Sequence, residues 1–184
     1  MAGAGRMQPV LLIVAAGAIA LSWLMAAAGA AKLRLPEDHA RAFDAYALLP
    51  AGAGRWLVPV LGVAECLAAA AIWPRGTREA AAALMLALLA LYSAAIAINL
   101  LRGRRDIECG CGPATHVPLS GWLLARNAAL MAAAFAVHAA PQALARAAAS
   151  WPAALATLAV ATLLVLLYNG ANFLLSRDAL LQDD

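Results

Sequence analysis

The sequence predicts an all-α, polytopic transmembrane helical bundle with about five spans and a short amphipathic helix in its first loop. Two observations predict this fold. The 184 residues are 65% hydrophobic and 12% charged, whereas soluble domains are about 45–50% apolar and about 25% charged. Five apolar stretches also meet or approach the roughly 20 residues that a helix needs to cross the hydrocarbon layer. We therefore expect a single integral membrane domain over residues 1–184.

The predicted spans share a Leu- and Ala-rich composition and contain no run of charges. They cover residues 10–31, 56–73, 80–101, 121–140 and 151–175. A helix satisfies its own backbone hydrogen bonds in lipid, and the alternating pattern of a membrane β-barrel strand is absent. The first span follows Arg6 and ends in small residues, as a secretory signal does. We expect it to be retained, because its apolar run is longer than a usual signal core.

Two loops on the same side of the membrane carry most of the sequence signal. In the first loop, Pro36 can start a short helix. A period of 3.6 residues there separates two faces, one with Glu37, Arg41 and Asp44, the other with Ala42, Phe43, Tyr46 and Leu49. This pattern is typical of an amphipathic helix on the membrane surface or over the mouth of a bundle. The third loop, residues 102–120, holds two cysteines.

The third loop contains the run Cys109–Gly110–Cys111. Residues i and i+2 can reach the roughly 4.4–6.8 Å Cα separation of a disulfide if the backbone between them bends, and glycine permits that bend. Strained, accessible disulfides are the labile or catalytic ones. We therefore predict that Cys109 and Cys111 are a catalytic redox pair. A structural disulfide remains an alternative, as does a metal site that adds His116.

Four polar residues within the predicted spans are the candidate cofactor-binding set: Glu65, Asn99, Arg126 and Asn127. A carboxyl group at such depth is costly enough to indicate a function. Counted from the cysteine side, Arg126 lies about 9 Å deep and Glu65 about 14 Å deep. We predict a polar pocket below the cysteine pair, suited to a quinone headgroup or a proton path. Alternatively, Glu65 and Arg126 form an ion pair that holds helices together.

An ordered set of motifs gives the chain a family resemblance over about residues 32–130. The motifs are K-L at Lys32–Leu33, F-x-x-Y-x-x-L-P at Phe43–Pro50, P-x-x-x-x-x-E at Pro59–Glu65, N-L-x-R-G at Asn99–Gly103, C-G-C-G at Cys109–Gly112, and R-N at Arg126–Asn127. With these motifs the chain resembles the MauE family of methylamine-utilisation membrane proteins, within the DoxX-like group. One departure is that Gly112 and Pro113 follow the cysteines, where the family commonly shows C-G-C-F-G.

The resemblance implies a role in the maturation of a periplasmic, disulfide-containing client protein beside a thioredoxin-like partner. The layout is also similar to that of vitamin K epoxide reductases, which place a redox cysteine pair at the mouth of a membrane bundle and pass electrons to quinone. The leading hypothesis is accordingly a membrane thiol–disulfide redox protein. There are two alternatives: a metal-binding membrane protein that uses Cys109, Cys111 and His116, and a non-catalytic assembly factor.

The sidedness of the cysteine loop depends on two arguments that disagree. The cysteine side carries eight basic residues, Lys32, Arg34, Arg41, Arg55, Arg102, Arg104, Arg105 and Arg177, and the opposite side carries four, Arg6, Arg75, Arg78 and Arg146. The positive-inside rule therefore puts the cysteine loop in the cytoplasm. Disulfide exchange with secreted clients, however, belongs in an oxidising compartment. We expect a bacterial inner-membrane protein with a periplasmic cysteine loop, and no nucleic-acid partner, since no basic block is large.

Overall fold

The computed structural model describes residues 2–107, 109–110 and 118–180, with side chains over 9–107, 109–110 and 118–174. It has seven helices: α1 (Ala2–Arg34), α2 (Pro36–Ala45), α3 (Gly54–Ala71), α4 (Arg78–Leu101), α5 (Gly121–Ala139), α6 (Ala143–Ala147) and α7 (Trp151–Leu180). Five of them, α1, α3, α4, α5 and α7, contain a stretch long and apolar enough to cross a membrane. The described ranges contain no β-strand. The predicted fold class is confirmed.

The first helix is longer than the predicted span. It continues to Arg34, so Lys32 belongs to a helix and not to the first loop. The helical hydrogen bond from Leu35 N to Ala31 O, at 2.9 Å, still forms. The next residue is Pro36, which has no N–H to continue the pattern and instead begins α2. The other spans agree within a few residues, and α6 is an extra turn in the loop before α7.

The central helix of the bundle is α1, which packs against α3, α5, α6 and α7. Its contact with α3 is close because both helices present glycine there. A Cβ added to Gly29 would lie 2.6 Å from the carbonyl oxygen of Gly62 and 2.7 Å from Cys66 Sγ. Small residues of this kind let backbones approach in lipid, where helix association depends on packing. Lys32 and Glu65 each follow their glycine by three residues, so they lie near this contact.

The short helix α2 confirms the predicted amphipathic helix. Ala42 and Tyr46 are buried, whereas Glu37 and Arg41 are exposed. The loop that follows α2 returns the chain to the membrane. There the Asp44 carboxylate accepts hydrogen bonds from the backbone N–H groups of Gly52 and Gly54, at 3.1 and 2.9 Å. The bond to Gly54 satisfies a donor that the start of α3 leaves without a helical partner, and the bond to Gly52 holds the preceding loop.

Candidate functional site

The described part of the cysteine loop packs over one end of the bundle. Cys109 is 6% exposed and belongs to a buried cluster with Tyr46, Ile96, Ile107, Leu119 and Leu123. The Tyr46 hydroxyl donates a hydrogen bond of 2.8 Å to the carbonyl oxygen of Cys109. The predicted site residues Cys111 and His116 lie outside the described residues. The structure therefore places the first cysteine of the pair against the C-terminal end of α2.

The residue between the two cysteines makes the close contact with α2 possible. Gly110 has φ of +60°, a region that L side chains rarely adopt. A Cβ at this position would lie 2.9 Å from the Cβ of Ala42. Both the backbone conformation and the lack of space therefore favour glycine. The sequence predicts glycine at position 110 from the bend between the two cysteines, and the close contact with α2 is a second reason for glycine there.

Arg104 connects the cysteine loop to α2 and α4. Its guanidinium donates to the carbonyl oxygens of Ala45 and Tyr46, at 2.9 and 3.1 Å, and to Asn99 Oδ1 at 3.2 Å. Asn99 also donates to Ala95 O at 3.1 Å. The polar contacts of Asn99 are thus with the loop and its own helix, apart from the other three residues of the predicted set.

Glu65 is fully buried and binds two residues that the sequence analysis did not select. Lys32 Nζ lies 2.9 Å from both carboxylate oxygens, and the Tyr92 hydroxyl donates to Oε1 at 2.5 Å. The ammonium also lies 5.4 Å from the centroid of the Tyr92 ring. The predicted alternative of an ion pair between Glu65 and Arg126 is wrong. Because α1 and α3 pack closely, Lys32 is the basic residue that contacts the carboxylate.

Arg126 belongs to a second polar network that joins α4, α5 and α7. It donates to Asn172 Oδ1 at 3.3 Å and to Asn127 Oδ1 at 3.2 Å, and its guanidinium carbon lies 5.4 Å from the ring centroid of Tyr168. Asn127 in turn donates to Ser93 Oγ at 3.2 Å. These contacts hold Arg126 between helices without a carboxylate.

Two cavities border the Glu65 network, and Tyr92 lines both of them. The smaller has a volume of about 30 Å³, and Glu65, Tyr92, Arg126, Asn127 and Tyr168 contribute its polar lining. About 30 Å³ is the share of one water molecule in the liquid. Three of the four predicted cofactor-binding residues therefore share one cavity, and that cavity has the size of a water site.

The larger cavity lies between α2, α3 and α4 and has a volume of about 350 Å³. Its lining is mostly apolar, with polar contributions from Lys32, His39, Tyr46 and Tyr92, and Gly110 forms part of its wall. Cavities of roughly 300–1,000 Å³ with few polar groups are typical ligand sites. Sequence analysis missed this cavity, since its walls come from helices whose packing the sequence does not give.

His39 is a second buried polar residue of this cavity beside Lys32, with 2% exposure. Its Nδ1 lies 2.9 Å from the carbonyl oxygen of Leu35. A carbonyl oxygen only accepts hydrogen bonds, so Nδ1 is the donor in this contact. The position of His39 one turn before Phe43, on the apolar face of α2, was the available signal for its burial.

These features define a multi-pass α-helical membrane protein with a buried ion pair between its spans and a cysteine loop over one end. The family model described as Methylamine utilisation protein MauE matches residues 9–140. The chain belongs to the MauE family, as its ordered motifs predicted.

Three relatives support the same assignment. The chain is 38% identical over 120 residues to Methylamine utilization protein MauE of Paracoccus denitrificans, covering 65% of this chain and 64% of that protein. It is 36% identical over 113 residues to the MauE protein of Paracoccus versutus, covering 61% of each. It is 32% identical over 158 residues to the MauE protein of Methylophilus methylotrophus, covering 85% of this chain and 82% of that protein. The chain thus spans less than two thirds of the two Paracoccus proteins. No solved structure matches the chain.

Proposed function

We propose that this protein is a membrane thiol–disulfide redox protein whose reactive groups are Cys109 and Cys111. The observation that carries the proposal is the position of the cysteine loop. Cys109 is buried against α2, and the adjoining Gly110 forms part of the wall of a large apolar cavity. From the position of Cys109, we infer that the pair exchanges with a protein partner on the outer side of the loop and with a membrane-soluble partner on the cavity side.

The reaction is an exchange with a periplasmic thioredoxin-like protein that forms disulfides in a client. A partner thiolate attacks the Cys109–Cys111 disulfide, a mixed disulfide forms, and the second partner thiol resolves it. The partner loses two electrons and two protons and gains an S–S bond, while the S–S bond of the pair becomes two thiols. A membrane quinone then takes the two electrons and two protons and restores the disulfide.

We place the cysteine loop on the periplasmic side of the bacterial inner membrane. The basic residues that argued against this placement do not all face water. Lys32 is buried in its ion pair with Glu65, and Arg104 donates to backbone carbonyls. The positive-inside rule concerns charged loops beside the membrane. Two of the eight basic residues counted on the cysteine side are therefore weak topology signals, as is Arg78 among the four on the opposite side, which is 5% exposed. The periplasmic placement therefore depends on the redox chemistry, since disulfide exchange with secreted clients belongs in an oxidising compartment.

Thiol trapping in intact cells tests both the chemistry and the sidedness. After mild reduction, a membrane-impermeant maleimide should label the loop cysteines without cell lysis. Cys109→Ser and Cys111→Ser should each abolish client maturation, because a single thiol cannot reform the internal disulfide. Cys66→Ser is the matched control, since Cys66 lies in α3 against Gly29, and it should leave maturation unchanged.

Three results would argue against the proposal. Normal client maturation in both loop variants would leave the cysteines without a redox role, as expected of an assembly factor. Labelling that requires cell lysis would place the loop in the cytoplasm. A bound metal ion in the purified protein that is lost in His116→Ala would favour the site of Cys109, Cys111 and His116 instead.

A further inference from the structure

We propose that the cavity between α2, α3 and α4 is the quinone-binding site of this protein, with Lys32 as the group that holds a ring carbonyl. This inference rests on the proposed function for its redox partner but assigns a site and residues of its own. It moves the ligand away from Arg126 and Asn127, because the cavity that they share with Glu65 has a volume of only about 30 Å³.

The large cavity has the chemistry of a site for a flat, apolar ring. Its volume is about 350 Å³, and Phe43, Tyr46 and Tyr92 contribute aromatic side chains to its lining. Aromatic rings pack favourably on other flat rings, beyond the apolar area that they bury. Leu57 and Leu61 from α3 complete an apolar wall. A water-soluble, charged substrate would find few partners on such a surface.

The inner end of the cavity carries a positive charge held in a fixed place. Lys32 lines the cavity while its ammonium binds both oxygens of Glu65 at 2.9 Å. The side chains of the pair are only 4% and 1% exposed. The two hydrogen bonds to Glu65 fix the position of the ammonium. A preorganised cation of this kind stabilises the negative charge that develops on a quinone oxygen during reduction.

The outer end of the cavity adjoins the cysteine loop. Gly110 and His39 both line it, so a ring bound there lies beside the loop that carries the dithiol. Two S–H bonds break and one S–S bond forms, while the two quinone carbonyls gain two electrons and two protons as hydroxyl groups.

The cavity also has an opening suited to a ligand that arrives from the bilayer. Leu49 and Leu91 line the cavity and are nevertheless 49% and 55% exposed. Side chains that face both the cavity and the outer surface mark the place where the two communicate. An isoprenoid tail can remain between the lipids there while the ring occupies the cavity.

Photoaffinity labelling of the purified full-length chain in lipid nanodiscs tests the site directly. The probe is an azido-benzoquinone with one isoprenoid unit, and the unlabelled quinone serves as competitor. We expect saturable labelling of α3 or α4 peptides that the competitor prevents. Leu61→Trp should weaken labelling by about tenfold or more, because the larger side chain fills the cavity. Leu67→Trp, six residues further along α3 and 61% exposed, is the matched control and should label normally.

A second variant tests the role of the ion pair. Replacing both partners, Lys32→Met with Glu65→Leu, leaves no unpaired charge and should weaken quinone binding by about tenfold or more, the value of one hydrogen bond to a charged group. Unchanged affinity in this variant would overturn the assignment of Lys32. Labelling of the wild type that no competitor reduces, or that is equal in Leu61→Trp and Leu67→Trp, would overturn the site and indicate that lipid chains fill the cavity.

The result can be separated from the proposed redox function. The Cys109→Ser and Cys111→Ser double variant should bind the quinone as the wild type does, because the cavity does not depend on the sulfurs. Binding in this variant together with normal client maturation would keep the site and reject the redox role. Absence of binding in the wild type, with the expected thiol trapping, would reject the site and keep the redox role.

Discussion

The two ends of the bundle each bury a basic residue, and they treat it differently. At the cysteine end, Lys32 binds the Glu65 carboxylate and lines a cavity of about 350 Å³. At the opposite end, Arg78 is 5% exposed and donates to three main-chain carbonyl oxygens. These are Ile72 at 2.9 Å, Trp73 at 2.8 Å and Pro141 at 2.6 Å. Lys32 therefore borders a cavity, whereas Arg78 is held by main-chain carbonyl groups.

The difference follows from the chemistry of the two side chains. The planar guanidinium presents donors in fixed directions, which suits it to hold several carbonyl groups at once. Arg78 thereby ties the end of α3 to the loop after α5. A lysine ammonium is a compact point charge on a flexible stem. Lys32 can therefore be held by a carboxylate and still present its charge to a ligand. A buried charged side chain beside a cavity indicates a binding site. A buried charged side chain whose donors all bind main-chain carbonyl groups indicates a structural role.

The largest loss of stability is expected when only one residue of the Lys32–Glu65 pair is replaced. Glu65→Leu leaves the Lys32 ammonium buried without a counter-charge, so the free energy of unfolding should fall by about 3–5 kcal/mol. Unfolding in mixed detergent and SDS micelles measures this change. The double variant Lys32→Met with Glu65→Leu should recover most of the loss, because no charge then remains in the apolar interior. A double variant as unstable as the single one would show that the pair is not the source of the effect.

Arg78→Met should lower the free energy of unfolding by less than Glu65→Leu does, and it should leave the affinity for quinone unchanged. The substitution leaves the carbonyl groups of Ile72, Trp73 and Pro141 without this donor, and we expect a loss of about 2–3 kcal/mol. Quinone affinity should stay at the wild-type value, since the cavity is at the other end. Arg78→Lys should recover only part of the stability, because one ammonium lacks the fork geometry. A change in quinone affinity in Arg78→Met would contradict the separation of the two ends.

The comparison also shows what the sequence could and could not reveal. Glu65 was recognisable because a carboxyl group in the middle of an apolar stretch has a cost that any packing must offset. The apolar run alone does not predict Lys32 as the partner of Glu65, because that run ends at Ala31. Its periodicity was nevertheless informative, since Lys32 lies on the α1 face of Leu21, Met25 and Ala28, all buried. Glu65 pairs with Lys32 and not with Arg126 because of how the helices pack, and helix packing cannot be predicted from one sequence.

Tyr46→Phe tests how firmly the cysteine loop is held. The change removes the hydrogen bond of 2.8 Å to the carbonyl oxygen of Cys109 and keeps the ring in its buried cluster. We expect a loss of about 1 kcal/mol in the closed form of the loop, which corresponds to about a fivefold rise in its open population. The rate of alkylation of reduced Cys109 in nanodiscs should rise by the same factor. Tyr92→Phe is the control, because that hydroxyl binds Glu65, and it should leave the alkylation rate unchanged.

The smallest change in stability is expected from a substitution on the exposed face of α2. Arg41 pairs with Asp38, but the two side chains are 76% and 44% exposed. Solvent screens such pairs, and their contribution is typically below about 1 kcal/mol. Arg41→Ala should therefore change the free energy of unfolding by less than about 0.5 kcal/mol and leave quinone labelling unchanged. If Arg41→Ala instead slows exchange with a thioredoxin-like partner while binding and stability are unchanged, the exposed face of α2 is part of the docking surface for that partner. Basic residues would then have three roles in this chain: Lys32 borders a cavity, Arg78 holds main-chain carbonyl groups and Arg41 contributes to a protein-docking surface.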